Sequence, residues 1–311
     1  MNQPAQENQH TAAKTGTLSV ILHGRKLCLA GRGLQMFPDT KLSSDAADSL
    51  LSRRIPACPV FFWPMSEEHG QTAEDAAAYV FSRINAMTRE TDRYLLAAFT
   101  VTDWNRELSP WEAEIPEIGQ SFGNGAENTL RWILTAAMPY LEAGSGCQHA
   151  YYLAGYSLAG LFALWGELVT RGQGIFAGAA GCSASMWFPG WLQWAASRIK
   201  ELSADTNDVP QQKGRQTGSD DIRISDDALC GSAIYLSLGG KEHLTSNTFI
   251  AGILEAMSSY EKLVSSDPLV RSHILEMNRG GHFSDPERRV AKGIAWLLKH
   301  SQAGSLPGEC P

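Results

Sequence analysis

The chain has 311 residues, of which 43% are hydrophobic and 19% are charged, a composition that indicates a globular protein with a substantial core. Its formal net charge of -7 argues against nucleic acid as a partner, because binding to nucleic acid depends on a basic surface. No run approaches the roughly 18 consecutive apolar residues that cross a bilayer, so we expect no membrane association.

The N-terminal residues and the cysteines both predict a cytoplasmic location. Residues 1–16 are polar and lack the apolar segment of a secretory signal, so we interpret them as a flexible tail. The six cysteines lack C-x-x-C spacing, which favours reduced thiols over a disulfide framework or a metal site, and we expect no metal. These cysteines are Cys28, Cys58, Cys147, Cys182, Cys230 and Cys310.

In the first half of the chain, apolar runs predict three strands and helical spacing predicts two helices. Residues 24–54 are polar and rich in turn formers, and residues 119–125 are rich in glycine and asparagine, so both segments are predicted to be loops. The predicted strands are residues 17–22, 59–64 and 94–101, and the predicted helices are residues 72–90 and 126–142.

In the second half, strands and helices alternate, except in residues 203–227. That segment is polar and lacks aromatic residues, so it cannot bury enough apolar area to offset its ordering entropy, and we interpret it as a flexible insertion. The predicted strands are residues 151–156, 175–181, 233–238 and 272–277, and the predicted helices follow Ser157 and occupy residues 189–202, 246–264 and 286–300.

This alternation predicts an α/β fold, with a mostly parallel central sheet and helices on both faces. We expect one domain over residues 17–300, followed by a C-terminal tail of residues 301–311. In such sheets the ligand binds at the carboxyl ends of the strands.

Ser157 lies where an apolar strand passes directly into a helical pattern, as in a nucleophile elbow. The strand and the helix nearly touch in such a turn, so the residues around the serine must be small. Gly155, Ala159 and Gly160 meet this requirement, although Ala159 stands where G-x-S-x-G has its second glycine. The alternative is that Ser157 only caps the helix.

A serine nucleophile needs a histidine base and an acid that orients the base. His282 follows the last predicted strand and Glu242 follows the strand before it, which gives the order serine, acid, histidine. Asp285 and Asp103 compete for the acid role. Asp285 precedes a proline and is typical of a helix N-cap, and Asp103 follows an earlier strand, so Glu242 is favoured. His243 adjoins Glu242 and is poorly placed for orientation by it, and four other histidines are predicted to be exposed: His10, His69, His149 and His300.

Hydrolysis through an acyl-enzyme also needs donors that stabilise the oxyanion. We expect one from the backbone N–H of Leu158 and a second from the loop after residues 60–62, in residues 63–66, where Trp63 and Met65 are candidates and Pro64 lacks an N–H. Tryptophans at or after strand ends predict an aromatic pocket for an apolar or ring-bearing group, and Arg106 is a candidate for binding an anionic group. These tryptophans are Trp63, Trp104, Trp111, Trp187 and Trp191.

The sequence around these residues resembles esterase families of the α/β-hydrolase superfamily, the group with esterase D-like and enterochelin esterase-like enzymes. Residues 155–164 are similar to their elbow, and residues 183–187 resemble their serine-rich segment that ends in tryptophan. Residues 239–242 and 280–283 match the places of their acid and histidine, and residues 103–111 resemble a bacterial branch. The resemblance covers about residues 60–298. It implies the α/β-hydrolase fold and a triad of Ser157, Glu242 and His282, but no particular substrate.

We therefore predict a serine hydrolase that acts on a small-molecule carboxylic ester and needs no cofactor. Two alternatives remain open. The same acyl-enzyme could pass its acyl group to an alcohol or amine, which would make the protein an acyltransferase. The chain could also be a binding protein that has the hydrolase fold without turnover.

Overall fold

An eight-stranded sheet forms the centre of the computed structural model, within the residues that it describes, 17–32, 58–67, 72–145, 149–207, 231–246 and 251–301. The strands of this sheet are β1 (Thr17–Leu22), β2 (Arg25–Arg32), β3 (Cys58–Met65), β4 (Tyr94–Thr100), β7 (His149–Tyr156), β8 (Phe176–Cys182), β9 (Ser232–Gly239) and β10 (Val270–Asn278). Their order is β1-β2-β4-β3-β7-β8-β9-β10. The pairs β1/β2 and β2/β4 are antiparallel and the other pairs are parallel. A separate hairpin joins β5 (Ala113–Ile115) to β6 (Gln120–Phe122).

Helices cover both faces of this sheet. They are α1 (Ala73–Met87), α2 (Trp104–Glu107), α3 (Ala126–Trp132), a π-helical segment (Ile133–Ala137), α4 (Met138–Ser145), α5 (Leu158–Thr170), α6 (Trp191–Asn207), α7 (Ile253–Ser266) and α8 (Pro286–Lys299). Val80 of α1 and Ile294 of α8 belong to the core on one face, and Phe162 of α5 and Met257 of α7 belong to the core on the other. The predicted α/β architecture is thereby confirmed. No helix in the described part of the chain has the length and apolar character needed to cross a membrane.

Strand β2 lies within the segment that was predicted to be a polar loop, so that prediction is wrong for Arg25–Arg32. Its four central residues, 27–30, are fully buried between β1 and β4. Three cationic residues at the strand ends, Arg25, Lys26 and Arg32, conceal this apolar centre in the sequence.

Three other predictions need correction, and several further ones cannot be compared with the structure. Gln120–Phe122 is a strand of the hairpin, where a loop was predicted. His149 was predicted to be exposed, but it is 2% exposed because it begins a buried strand and its ring contacts Tyr151. The start of the predicted insertion, residues 203–207, continues α6. The remainder of that insertion, both predicted tails except Ser301, and His10 and His69 lie outside the described residues.

A buried ion-pair network fixes the far end of α5, at the amino edge of the parallel strands. Arg171, which directly follows α5, donates to both carboxylate oxygens of Glu167 at 2.7 and 2.6 Å. The same guanidinium donates to Asp267, which directly follows α7. The side chains are 3% exposed for Arg171 and fully buried for both acids. The network therefore ties α5 to α7 inside the protein.

Replacing Arg171 by methionine should lower the free energy of unfolding by about 3–5 kcal/mol, because two buried carboxylates lose their cation. The matched control is Arg131→Met, since Arg131 also pairs with a glutamate four residues earlier, Glu127, but at the surface. That change should cost at most about 0.5 kcal/mol. Urea unfolding of both variants measures the difference. Equal losses would show that the buried network contributes no more than an exposed pair.

Candidate active site

Ser157 occupies a strained turn between β7 and α5, with φ 55° and ψ -121°. The strand and the helix are so close there that a Cβ on Gly155 would lie 2.1 Å from the carbonyl oxygen of Ala159 and 2.7 Å from the nitrogen of Gly160. Ala159 itself is fully buried in this turn. The local geometry is therefore that of a nucleophile elbow, in which the turn exposes the serine hydroxyl at the carboxyl edge of the sheet.

Three side chains from three different loops form one hydrogen-bonded chain at this edge. The Oγ of Ser157 is 3.1 Å from Nε2 of His282, and Nδ1 of His282 is 2.9 Å from Oε2 of Glu242. His282 follows β10, and Glu242 begins the 3₁₀ turn after β9. The carboxylate partner assigns the proton of the neutral imidazole to Nδ1, which leaves Nε2 free to accept a proton from the serine. The structure thus brings together the three residues of the predicted triad.

The carboxylate of Glu242 is 1% exposed and has a hydrogen-bond donor for each oxygen. Its Oε1 accepts from the hydroxyl of Ser183 at 2.6 Å, the backbone N–H of Gly239 at 2.6 Å and Nη1 of Arg289 at 2.9 Å. Burial alone would raise the pKa of Glu242, but hydrogen bonds from His282, Ser183 and Gly239 outweigh it and lower the pKa below the ordinary glutamate value. Glu242 is therefore an anion at neutral pH.

The segment after β8 contacts both Glu242 and Ser157. Ser183 has φ 43°, and its backbone N–H donates to Ser237 at 2.7 Å, which directs its hydroxyl toward the acid. Ser185 donates its backbone N–H to the carbonyl of Ser157 at 3.1 Å, and the two hydroxyl oxygens are 3.4 Å apart. These contacts hold the elbow against the neighbouring strand end.

Tyr156, the residue before Ser157, supports His282. Its hydroxyl donates to the backbone carbonyl of His282, and the centres of the two rings are 5.4 Å apart. Burial raises the pKa of Tyr156 to about 12, so the hydroxyl keeps its proton and remains a donor at neutral pH.

Sequence analysis did not single out Arg289 or Tyr156. Arg289 follows Arg288, and the two have the same side chain, although one is 3% exposed at its side chain and the other 59%. The one available signal is helical spacing, since Arg289 precedes the buried residues Gly293 and Leu297 by one and two turns.

A cavity of about 550 Å³ lies directly over Ser157. Its lining comes from the segment after β4, the hairpin β5–β6 and its connection, the start of α5, and the segments after β8 and β10. Among the described lining residues His282 is the only one with an ionisable side chain. The lining consists of Trp104, Asn105, Ile118, Gln120, Phe122, Ser157, Leu158, Ser185, Trp187, His282 and Phe283.

Two of the predicted pocket tryptophans, Trp104 and Trp187, line this cavity. Trp63 was also predicted to line it, but its side chain is buried in the core on the α1 and α8 face of the sheet. Trp191 is fully buried in the core on the opposite face. A position near a strand end therefore did not determine which way an indole points.

Trp111 and Arg106 also lie outside the cavity lining, contrary to prediction. The indole of Trp111 packs against Phe188 and donates to the carbonyl of Pro189 at 2.9 Å. Arg106 is exposed, and the base of its side chain packs against Gly123, where an added Cβ would lie 2.7 Å from Cγ of the arginine. Both residues therefore support the cavity wall from outside.

The candidate oxyanion donors occupy different positions relative to the cavity. Leu158 is the first residue of α5 and lines the cavity, so its backbone N–H is one of the first four of the helix, which have no partner within the helix. Trp63 and Met65 belong to the end of β3, their side chains are buried, and neither lines the cavity. In the described part of the chain, no group of three or more His, Cys, Asp and Glu side chains could hold a metal ion.

No protein-family model matches the sequence, and no curated protein matches it by sequence. Solved structures do match. Siderophore hydrolase EstA from Aspergillus nidulans aligns over 97% of this chain and 100% of its own, with 15% identity and a TM-score of 0.60. An IroE-like serine hydrolase from Shewanella oneidensis aligns over 91% of this chain and 80% of its own, with 15% identity and a TM-score of 0.59. Siderophore hydrolase EstB from Aspergillus nidulans aligns over 98% and 100%, with 14% identity and a TM-score of 0.57. The chain therefore has the α/β-hydrolase fold.

Replacing Gly155 by alanine should lower the free energy of unfolding by about 3 kcal/mol or more, because the new methyl group would overlap the backbone of α5. The control is Gly281→Ala, since a Cβ at Gly281 meets nothing within 4 Å. That substitution should change stability by at most about 0.5 kcal/mol. Thermal and urea unfolding compare the two variants. Equal stability would show that the elbow is looser than the structure indicates.

Proposed function

We propose that the protein is a serine hydrolase that cleaves carboxylic esters through an acyl-enzyme on Ser157. The observation that carries this proposal is the continuous hydrogen-bonded chain from Ser157 through His282 to the buried Glu242, beside a cavity open to a substrate. Ser157 alone is a poor nucleophile at neutral pH, and a positioned base with an ionised partner removes that obstacle.

In the proposed reaction, Oγ of Ser157 attacks the acyl carbon while Nε2 of His282 accepts the hydroxyl proton. The ester C–O bond then breaks, and the imidazolium returns the proton to the departing alcohol. Water enters, gives a proton to His282 and attacks the acyl-enzyme, and the carboxylic acid leaves as Ser157 is re-protonated. Glu242 stays ionised throughout and stabilises the imidazolium, and the N–H of Leu158 donates to the oxyanion. We assign the second oxyanion donor to the end of β3, at Trp63 or Met65.

The cavity favours a neutral ester with an apolar or ring-bearing group. Trp104, Phe122 and Trp187 supply aromatic surface, while the side-chain amides of Asn105 and Gln120 supply hydrogen bonds without charge. Two of the similar structures are described as siderophore hydrolases, so siderophore esters belong among the substrates to be tested. This lining gives no support for an anionic substrate group, because its described residues carry no cationic side chain besides His282.

A fluorophosphonate probe, which reacts with activated serines, tests the nucleophile. We expect wild-type protein to be labelled and Ser157→Ala to remain unlabelled, and His282→Ala should lower kcat/KM for an ester by about 10⁴-fold or more. Analysis of products with and without an added alcohol separates hydrolysis from acyl transfer. If folded wild-type protein neither reacts with the probe nor cleaves any ester of an acyl-length panel, the proposal is wrong.

A matched pair of carboxylate-to-amide substitutions tests the acid. Glu242→Gln should lower kcat/KM by about 10³–10⁴-fold, because the amide can hold the wrong tautomer of His282 and cannot stabilise its cation. Asp285→Asn should change it less than about threefold, since Asp285 is 46% exposed at its side chain and its nearest cation is Arg288, at 3.9 Å. Steady-state kinetics of both variants and the wild-type protein on one ester measures these changes in kcat/KM. Full activity of Glu242→Gln would place the acid elsewhere.

A further inference from the structure

Arg289 places a buried cation directly behind the acid of the triad. The residue is 2% exposed and lies in the first turn of α8. Its Nη1 donates to Oε1 of Glu242 at 2.9 Å, to the hydroxyl of Ser183 at 2.8 Å and to the hydroxyl of Tyr156 at 3.2 Å. Arg289 does not line the cavity, so it has no direct route to the substrate. Any effect on the reaction must pass through the residues that it holds.

The contacts of Arg289 determine which oxygen of Glu242 faces the histidine. A carboxylate turns freely about its last side-chain bond unless its oxygens are held differently. Here Oε1 is occupied by Arg289, Ser183 and Gly239, which leaves Oε2 for Nδ1 of His282. The acid is therefore fixed in the orientation that the base requires before any substrate binds.

The other arm of the same guanidinium holds the loop that carries the base. Nη2 of Arg289 donates to the carbonyl of Gly281 at 2.8 Å and to the carbonyl of Arg279 at 3.2 Å. Gly280 between them has φ 89°, and the two consecutive glycines give this loop little stiffness of its own. The planar guanidinium can span two sites in this way, whereas the ammonium of a lysine is a single point of contact.

We propose that Arg289 is a positioning residue of the triad, which joins the acid and the histidine loop into one unit and offsets part of the acid's charge at the imidazole. This inference rests on the proposed function above. Among the described residues, Arg289 from α8 donates to Glu242, and Tyr156 from the end of β7 donates to the backbone carbonyl of His282. Lys241 and His243 adjoin Glu242 in the chain, and Asp285 follows His282 by three residues, but all three are exposed. Burial raises the pKa of Tyr156 to about 12, so Arg289 is the buried charge in contact with the pair.

The test compares Arg289→Met and Arg289→Lys by the rate of fluorophosphonate labelling across pH, together with kcat and KM for an ester. Arg289→Met should lower the labelling rate about 10²–10³-fold with KM within about threefold, because the loss of orientation affects the reacting groups and not the cavity. The acidic limb of the pH profile of the labelling rate should move up by about 0.5–1 pH unit in Arg289→Met. Without the arginine charge, the Glu242 carboxylate holds the proton on the imidazole of His282 more strongly. Arg289→Lys should keep the acidic limb of the wild-type pH profile, since the positive charge remains. It should be labelled about tenfold more slowly, since lysine cannot contact both Glu242 and the loop that carries His282.

The matched controls are Arg171→Lys and Arg171→Met, which alter a buried, ion-paired arginine at the opposite edge of the sheet. Under conditions in which each variant is folded, both should be labelled at the wild-type rate, and the acidic limb of their pH profile should not shift. If the wild-type protein is labelled, and Arg289→Met or Arg289→Lys is labelled at the wild-type rate with the wild-type pH dependence, the role of Arg289 is wrong and the proposed function stands. If Arg289→Met does not fold, Arg289→Gln replaces it, and a full labelling rate in Arg289→Lys still overturns the inference. Absence of labelling in the wild type would instead overturn the proposed function.

Discussion

The burial of the Glu242 carboxylate is the constraint on which the geometry of the site depends. An ionised carboxylate away from water is costly unless hydrogen bonds and a counter-charge replace its hydration. Its donors come from four parts of the fold, namely Gly239 at the end of β9, Ser183 after β8, His282 after β10 and Arg289 in α8. Each element must therefore adopt its observed position for the charge to be satisfied. The free energy of folding thus holds the acid in place before a substrate arrives, which is what a preorganised site requires.

Helix α5 is anchored at both ends by polar groups inside an otherwise apolar environment. At its start, the elbow is fixed by the hydrogen bonds of Ser157 with Cys182 and Ser185. Beyond its last turn, Arg171 binds both Glu167 and Asp267. A purely apolar helix could slide or rotate slightly with little loss of buried area, because hydrophobic packing is not directional. Hydrogen bonds are directional, so the two polar ends fix the axial position of the helix, while Ser157 itself is held by the contacts at the start of the helix.

The sequence predicts the parts of the site that depend on strand ends and small residues, because both leave a local signal. The apolar runs located most strands, and the small residues beside Ser157 indicated the close approach of β7 and α5. It failed where side-chain direction decides the outcome. Trp63 follows Phe62 in a strand, and adjacent strand residues face opposite sides of a sheet, so a strand end alone does not place an indole in the cavity. Arg289 and Arg288 differ only in the helix face that they occupy, and nothing in their own chemistry reveals the buried one.

The segment that carries Trp104 at the cavity is attached to the fold by a second carboxylate, Glu107, which is separate from the Ser157–His282–Glu242 chain. Glu107 accepts hydrogen bonds from the backbone N–H groups of Thr102 and Asp103, each at 2.8 Å, and from Arg25 of β2 at 2.5 Å. It thereby holds the segment that presents Trp104 to the cavity. None of these contacts involves a residue of the triad, and the segment belongs to the connection between β4 and α3. Side chains on this segment can therefore be exchanged without moving Ser157, whose position depends on β7, β8 and α5.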